Sequence, residues 1–172
     1  MSQLTKCIPG LMAGFCLFLS QPVNAADTQK LSAQDKKFMM NAAKGGMMEV
    51  DMGKLGQEHG SSEGVKNLSM RLVDDHTKGN EQLMMLAMQK GVTLPADNPA
   101  LVPKSLSTLS GTAFDKKFVS IAIADHEKDI AAFEKEASSG NDPDVKMWAS
   151  NTLPTLRSHL DAAKALANSS GQ

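Results

Sequence analysis

Four stretches of the chain repeat apolar residues at three- and four-residue intervals, which places them on one face of an α-helix. The first runs roughly from Ser32 or Gln34 to Glu58 and aligns Phe38, Ala42, Gly46, Val50 and Gly53, with a turn at Gly60-Ser61-Ser62. The second, about Ser62 to Lys90, stacks Val65, Leu68, Leu72, Leu83 and Leu86, and Gly91 is placed to cap its C-terminus. The third, about Thr112 to Ala137, carries Phe118, Ala122, Ile130 and Phe133 and ends in Ser138-Ser139-Gly140-Asn141. The fourth, about Pro143 to Ala167, has Ala149, Leu153, Leu156, Leu160 and Ala163 on its stripe. Asp142 is its expected N-cap, before Pro143 at the first helical position. Pro154 cannot donate to Ser150, so a bend is expected there.

The helices come in two related pairs. Asp35-Lys36-Lys37-Phe38 returns as Asp115-Lys116-Lys117-Phe118, and at the same offset Ala42 matches Ala122, Glu49 matches Asp129, Val50 matches Ile130, and Val65-Lys66 matches Val145-Lys146. The unit of this duplication is a helical hairpin, repeated over about 32–90 and 112–168. The segment 91–111 contains Pro95, Pro99 and Pro103 and is too long for a tight turn, so it is expected to cross over along the bundle. The fold expected is all-α, a ferritin-like four-helix bundle made of two duplicated hairpins joined by a long crossover.

Residues 1–25 do not belong to that pattern. Lys6 is followed by the apolar run Ile8 to Leu19, too short to span a bilayer, and Val23-Asn24-Ala25 offers small residues for cleavage. This is the form of a signal peptide, so export to the periplasm is expected. Both cysteines, Cys7 and Cys16, fall within it, which leaves the mature domain of 26–172 without disulfides or thiolate ligands. Phe15 before Cys16 argues against lipid attachment. The mature chain has no second apolar run of membrane-spanning length, and the interspersed charges, net −1 over the full 172 residues, give no footprint for nucleic acid.

Ionisable residues interrupt each apolar stripe near mid-helix. The first helix contributes Glu49, the second His76, the third His126 and, one turn on, Asp129, and the fourth His159. Each lies within about one turn, about 5.4 Å, of its helix midpoint, so they can converge whichever way the crossover runs. Carboxylate and imidazole together suit a first-row metal, with Asp75 and Asp125 as candidates to orient the rings from behind. A single buried histidine is ordinarily a hydrogen-bonded core residue. Four helices broken at one level are a different matter, because unpaired buried charge is costly and a metal offsets it.

Methionine offers a rival chemistry. Met39-Met40, Met47-Met48 and Met84-Met85 are doublets, Met48 shares a face with Met52, and Met84 shares one with Met88. Thioethers suit Cu(I) or Ag(I), yet methionine is also a common core filler. His59, in Glu58-His59-Gly60, is placed to complement the dipole at the end of the first helix. There is no phosphate loop, nucleophile elbow or Cys/His catalytic pattern.

Met47-Met48-Glu49-Val50-Asp51-Met52-Gly53, Leu72-Val73-Asp74-Asp75-His76, Ala124-Asp125-His126 and Leu153-Pro154-Thr155-Leu156-Arg157-Ser158-His159-Leu160 resemble the exported bacterial family called domain of unknown function 4142, often labelled an outer membrane protein. The likeness covers nearly all of the mature chain. It implies a ferritin-like fold with the family's Glu and His motifs on Glu49, His76, His126 and His159, and no settled activity. Di-iron bundles carry Glu-x-x-His on two helices, whereas here Val73 and Leu156 stand at the carboxylate positions, which disfavours ferroxidase chemistry. Outer-membrane spans are barrels of alternating strands, and helical periodicity throughout this chain points to the periplasm instead. The function expected is binding of a transition metal, Fe, Mn or Zn before Cu, for sequestration or stress protection more than turnover. The alternatives are an envelope stress or interaction protein with a purely structural polar layer, and copper or silver handling on the methionine faces.

Overall fold

Serine hydroxyls start the first two helices of the computed structural model, which describes residues 31–95 and 102–169. In α1 (Ala33–His59) the Asp35 N–H donates to Ser32 Oγ at 3.1 Å, and in α2 (Glu63–Gln89) the Val65 N–H donates to Ser62 Oγ at 3.3 Å. Gly91 closes α2 with φ of +64°, where the Val92 N–H reaches back to the Ala87 carbonyl at 2.8 Å. A short α3 (Lys104–Ser107), which the apolar spacing does not reveal, interrupts the crossover. The second hairpin is α4 (Gly111–Ser139) and α5 (Pro143–Ser169). Asp142 caps α5 as expected, accepting from the N–H groups of Asp144 and Val145 at 3.0 and 3.1 Å. α5 continues through Pro154. The expected signal peptide of 1–25 lies outside the described residues.

Contacts at the helix ends fix the topology. The start of α1 meets the end of α4 through Asp35 and Asn141, and the start of α4 meets the end of α1 through Asp115 and Ser61. Lys90, at the end of α2, pairs with Asp142 and Asp144 at the start of α5, at 2.7 and 2.6 Å. Thus α1 is antiparallel to α4 and α2 to α5, so α2 and α4 run the same way. The connection between them must therefore join opposite ends of the bundle, about 40 Å apart at 1.5 Å per helical residue. Val92 and Leu94 pack at one end and Val102, Leu106 and Leu109 at the other, as that path requires.

The two Asp-Lys-Lys-Phe copies do equivalent work. In both, aspartate and phenylalanine are buried and the lysines exposed. Asp35 accepts from the backbone N–H groups of Asn141 and Asp142 at 2.9 and 3.1 Å, and Asp115 accepts from those of Ser61 and Ser62, both at 2.9 Å. Each aspartate thereby holds the turn of the other hairpin. Phe38 packs edge-on against Phe133, and Phe118 stacks on Phe114 in a second cluster. These clusters occupy opposite ends of the bundle, one around Met39, Leu83 and Ala149, the other around Met52, Leu72 and Ala122. Between them lies the polar layer.

Candidate metal centre

The layer sits where each helix passes from one apolar cluster to the next. α1 places Glu49 there, α2 His76, α4 His126 and Asp129, and α5 His159. Three of these converge. His76, His126 and His159 each offer a ring nitrogen within 4.8 Å of the other two, and their ring centroids are 5.3 to 5.7 Å apart. His126 and His159 are buried almost completely, at 1% and 0% exposed.

Hydrogen bonds orient two of the rings from behind. His126 Nδ1 lies 2.9 Å from the Ala122 carbonyl, which can only accept, so this nitrogen carries the proton. His159 Nε2 lies 2.9 Å from Asp75 Oδ2 and donates to the carboxylate. The remaining nitrogens, His126 Nε2 and His159 Nδ1, then carry lone pairs and face each other at 3.2 Å. His76 Nε2 is buried with no hydrogen-bond partner. Two ligands on one tetrahedral metal with bonds of 2.0–2.1 Å stand about 3.3 Å apart, so the facing pair already has the spacing of neighbours in one coordination sphere.

Burial disfavours a proton as the cation between them. It lowers His76 to about 3, reinforced by His126 and His159, and lowers His126 to about 4 together with His159. Burial also lowers His159, although Asp75 pulls the other way. The arrangement holds neutral imidazoles with one ring nitrogen of each within 4.8 Å of the others, the protonation state that metal binding requires.

Glu49 lies outside that convergence. Its carboxylate is buried with no hydrogen-bond partner for either oxygen, and Oε1 is 3.7 Å from His126 Nδ1, the protonated edge of the ring and not the edge facing His159. Burial, then the carboxylates of Asp125 and Asp129, push Glu49 well above the usual carboxylate range. Asp129 is raised to about 6 by burial and Asp125, and its Oδ2 approaches Gly45 of α1. Asp125, raised by burial, makes no hydrogen bond to His126, whose ring is held by Ala122 instead. Asp75 backs a ring as its position suggests, but the ring is His159 on the facing helix and not its neighbour His76. Sequence spacing puts Asp75 partly off its stripe, and only the packing of α2 on α5 turns it toward His159.

The methionines divide. Met39 and Met52 are wholly buried in the two apolar clusters, whereas Met84 and Met88 are exposed and, with Met47, line a groove of about 920 Å³ between α1 and α2. His59 occupies the last turn of α1 and stacks on Phe114 with centroids 5.7 Å apart.

Among solved structures the fold is similar to a DUF305 fragment from Deinococcus radiodurans, with 15% identity, a TM-score of 0.70, and coverage of 80% of this chain and 97% of that one. It is also similar to CopM in its Cu(I)-bound form, at 14% identity and a TM-score of 0.66, covering 78% and 96% of the two chains. CopM in an Ag-bound form matches at 13% identity and the same TM-score, with the same coverage. A conserved hypothetical protein from Mycobacterium tuberculosis matches at 14% identity and a TM-score of 0.65, covering 78% and 91%. At these identities the likeness establishes the helical bundle. No curated protein matches the chain by sequence. No helix of the described residues is long and apolar enough to cross a membrane. The family model of DUF4142, a domain of unknown function, matches residues 20–166, and the chain belongs to that family.

Proposed function

We propose that this protein binds one divalent transition-metal ion through His76, His126 and His159, and that it does so in the periplasm for sequestration or stress protection more than for turnover. The observation that carries the reading is the pair of buried nitrogens, His126 Nε2 and His159 Nδ1, facing at 3.2 Å while the outer nitrogens of both rings are committed to Ala122 and Asp75. Three nitrogen donors with no carboxylate among them suit zinc, copper or iron better than manganese, which prefers oxygen. Glu49 and Asp129 then serve the layer electrostatically, beside the ligand set instead of within it. The relationship to CopM, solved with copper and silver, is compatible with metal handling on this fold.

The test is the metal content of protein isolated from the periplasm without a histidine tag, followed by titration of parent and His126→Leu with Zn(II), Cu(II), Fe(II) and Mn(II). A stoichiometric ion in the parent that the variant lacks supports the reading. Equal binding by both proteins removes it, and no binding by either leaves a purely structural polar layer.

A second reading has its own observation. Met47, Met84 and Met88 line one groove, and thioethers select Cu(I) and Ag(I). Cu(I) binding that survives loss of the histidines and disappears when those methionines become leucine would favour it.

A further inference from the structure

Gly79 has no local reason to be glycine. Within the helices, Gly46, Gly53, Gly56 and Gly64 sit where a Cβ would run into Asn80, Ser69, Ser69 again and Leu166, so close packing accounts for each. At Gly79, in the interior of α2, an added Cβ would meet nothing within 4 Å. A glycine there weakens the helix by about 0.5–1 kcal/mol relative to alanine. The position opens onto a groove of about 590 Å³ between α2 and α5.

That groove meets the histidine layer at one residue, Asp75. Asp75, one turn from Gly79 on α2, lines it, and Asp75 Oδ2 is the atom that accepts from His159 Nε2 at 2.9 Å. On α5 the lining includes Thr155, one turn before His159. The Asp75 side chain is 36% exposed while that of His159 is 0% exposed, so Asp75 spans solvent and site. Gln82, Asn151 and Thr152 add amide and hydroxyl oxygens along the walls, and Lys78 and Asp144 add one charge of each sign. None of the three histidines lines either groove, and the larger one, between α1 and α2, lacks Asp75 as well.

We propose that the α2–α5 groove, which Gly79 lines, is the entry path for a hydrated divalent cation, and that Asp75 at its inner end is the carboxylate that draws the ion toward the histidines. The inference rests on the reading of the histidine triad as a metal site. A carboxylate facing solvent attracts the cation, and neutral oxygens along the walls can replace its waters one at a time before imidazole nitrogens take over. Asp75 is thus a positioning residue twice over, drawing the ion in and holding the His159 ring.

The experiment separates rate from affinity with Co(II) as probe, followed by its visible absorption in stopped flow and at equilibrium. Gly79→Phe and Asn151→Trp fill the groove from its two sides, and Met84→Phe fills the other groove as a control. Gly79→Phe gains helix propensity and Asn151 is exposed, so both variants should fold, with circular dichroism as the check. Plugging a path obstructs entry and exit alike. The expected result is association slowed by about tenfold or more in either groove variant, with dissociation slowed in parallel, Kd within about twofold of the parent, and the control unchanged. Parent-like association in both groove variants overturns the path while leaving the metal site intact, and so does slowing confined to Met84→Phe. Failure of the parent to bind Co(II) at equilibrium removes the site and the path together.

Discussion

Asp35 and Asp115, the first residues of the two Asp-Lys-Lys-Phe copies, each clamp the turn of the hairpin to which they do not belong. Asp35 takes the N–H groups of Asn141 and Asp142, and Asp115 takes those of Ser61 and Ser62, all at 2.9 to 3.1 Å. In both, burial raises the carboxyl but the donated hydrogen bonds outweigh it, and the net effect lowers the affinity for a proton. Through these bonds each copy depends on the other.

Removing either clamp strands two backbone donors. Asp35→Ala and Asp115→Ala should each destabilise the bundle by about 1–3 kcal/mol, and more where the stranded donors stay buried. A carboxyl lowered in the folded state contributes stability that is present above its unfolded value and lost as pH falls through its folded value. The parent should therefore lose more stability than either variant on acidification below about pH 4. Urea unfolding at pH 7 and pH 3 measures both effects, and equal free energies for parent and variants at pH 7 would refute the clamp.

One half of the molecule adds a complication. Glu136, 2% exposed, lies beside Asp35; burial, then the hydrogen bond to Asp35, raises it to about 7 from 4.5. A raised carboxyl binds more protons folded than unfolded, so its contribution is full below about pH 4.5 and is lost as pH rises through about 7. Glu136→Gln keeps a donor toward Asp35 and removes the titration. Its melting temperature should exceed the parent's by a few degrees at pH 8 and differ little at pH 4.5.

Loss of a ligand separates metal binding from a purely structural layer. Metal that binds only the folded state stabilises it by about 2.7 kcal/mol at a roughly hundredfold excess over Kd. The parent should melt higher with Zn(II) than in chelator, and His76→Leu should gain much less. Differential scanning fluorimetry at pH 7.5 reads this. Equal gains in both proteins would take His76 out of the site.

The pH profile of that gain tests the state of the rings. An exposed imidazole near 6.5 would lose its metal below about pH 6. Burial holds His76 at about 3 and His126 at about 4 and lowers His159 as well, so the response should persist at pH 5.5 better than ordinary imidazoles allow and be lost by about pH 4. Zinc affinity measured by competition at both pH values decides between these outcomes.

Asp75→Asn keeps the shape and removes the charge behind His159. Replacing the partner of a ligating histidine typically costs about 10–100-fold in metal affinity. That loss is expected here with the melting temperature of the metal-free protein little changed, since Asp75 is partly exposed.

The apolar spacing made α1, α2, α4 and α5 legible to within a few residues, along with the caps at Asp142 and Gly91. Local backbone chemistry sets those features, and the sequence carries it directly. The short α3 escaped because four residues hold no period; its Leu106 is buried by the tertiary fold alone.

The duplication, the bundle and the height of the polar layer follow from sequence, because helical periodicity assigns each residue a face and a level. Which polar residues meet was decided only in three dimensions. At the offset that relates Asp35 to Asp115, His76 pairs with Leu156, His126 with Gly46 and His159 with Gly79, so the triad is no part of the repeat. The polar pair that does repeat, Glu49 and Asp129, stands beside the histidine triad. Periodicity fixes a side chain's bearing about its own helix axis, but not which helix lies across from it or which edge of a ring is turned inward. Antiparallel packing of α2 on α5 brought Asp75 to His159, and the Ala122 carbonyl turned His126 Nε2 toward the centre.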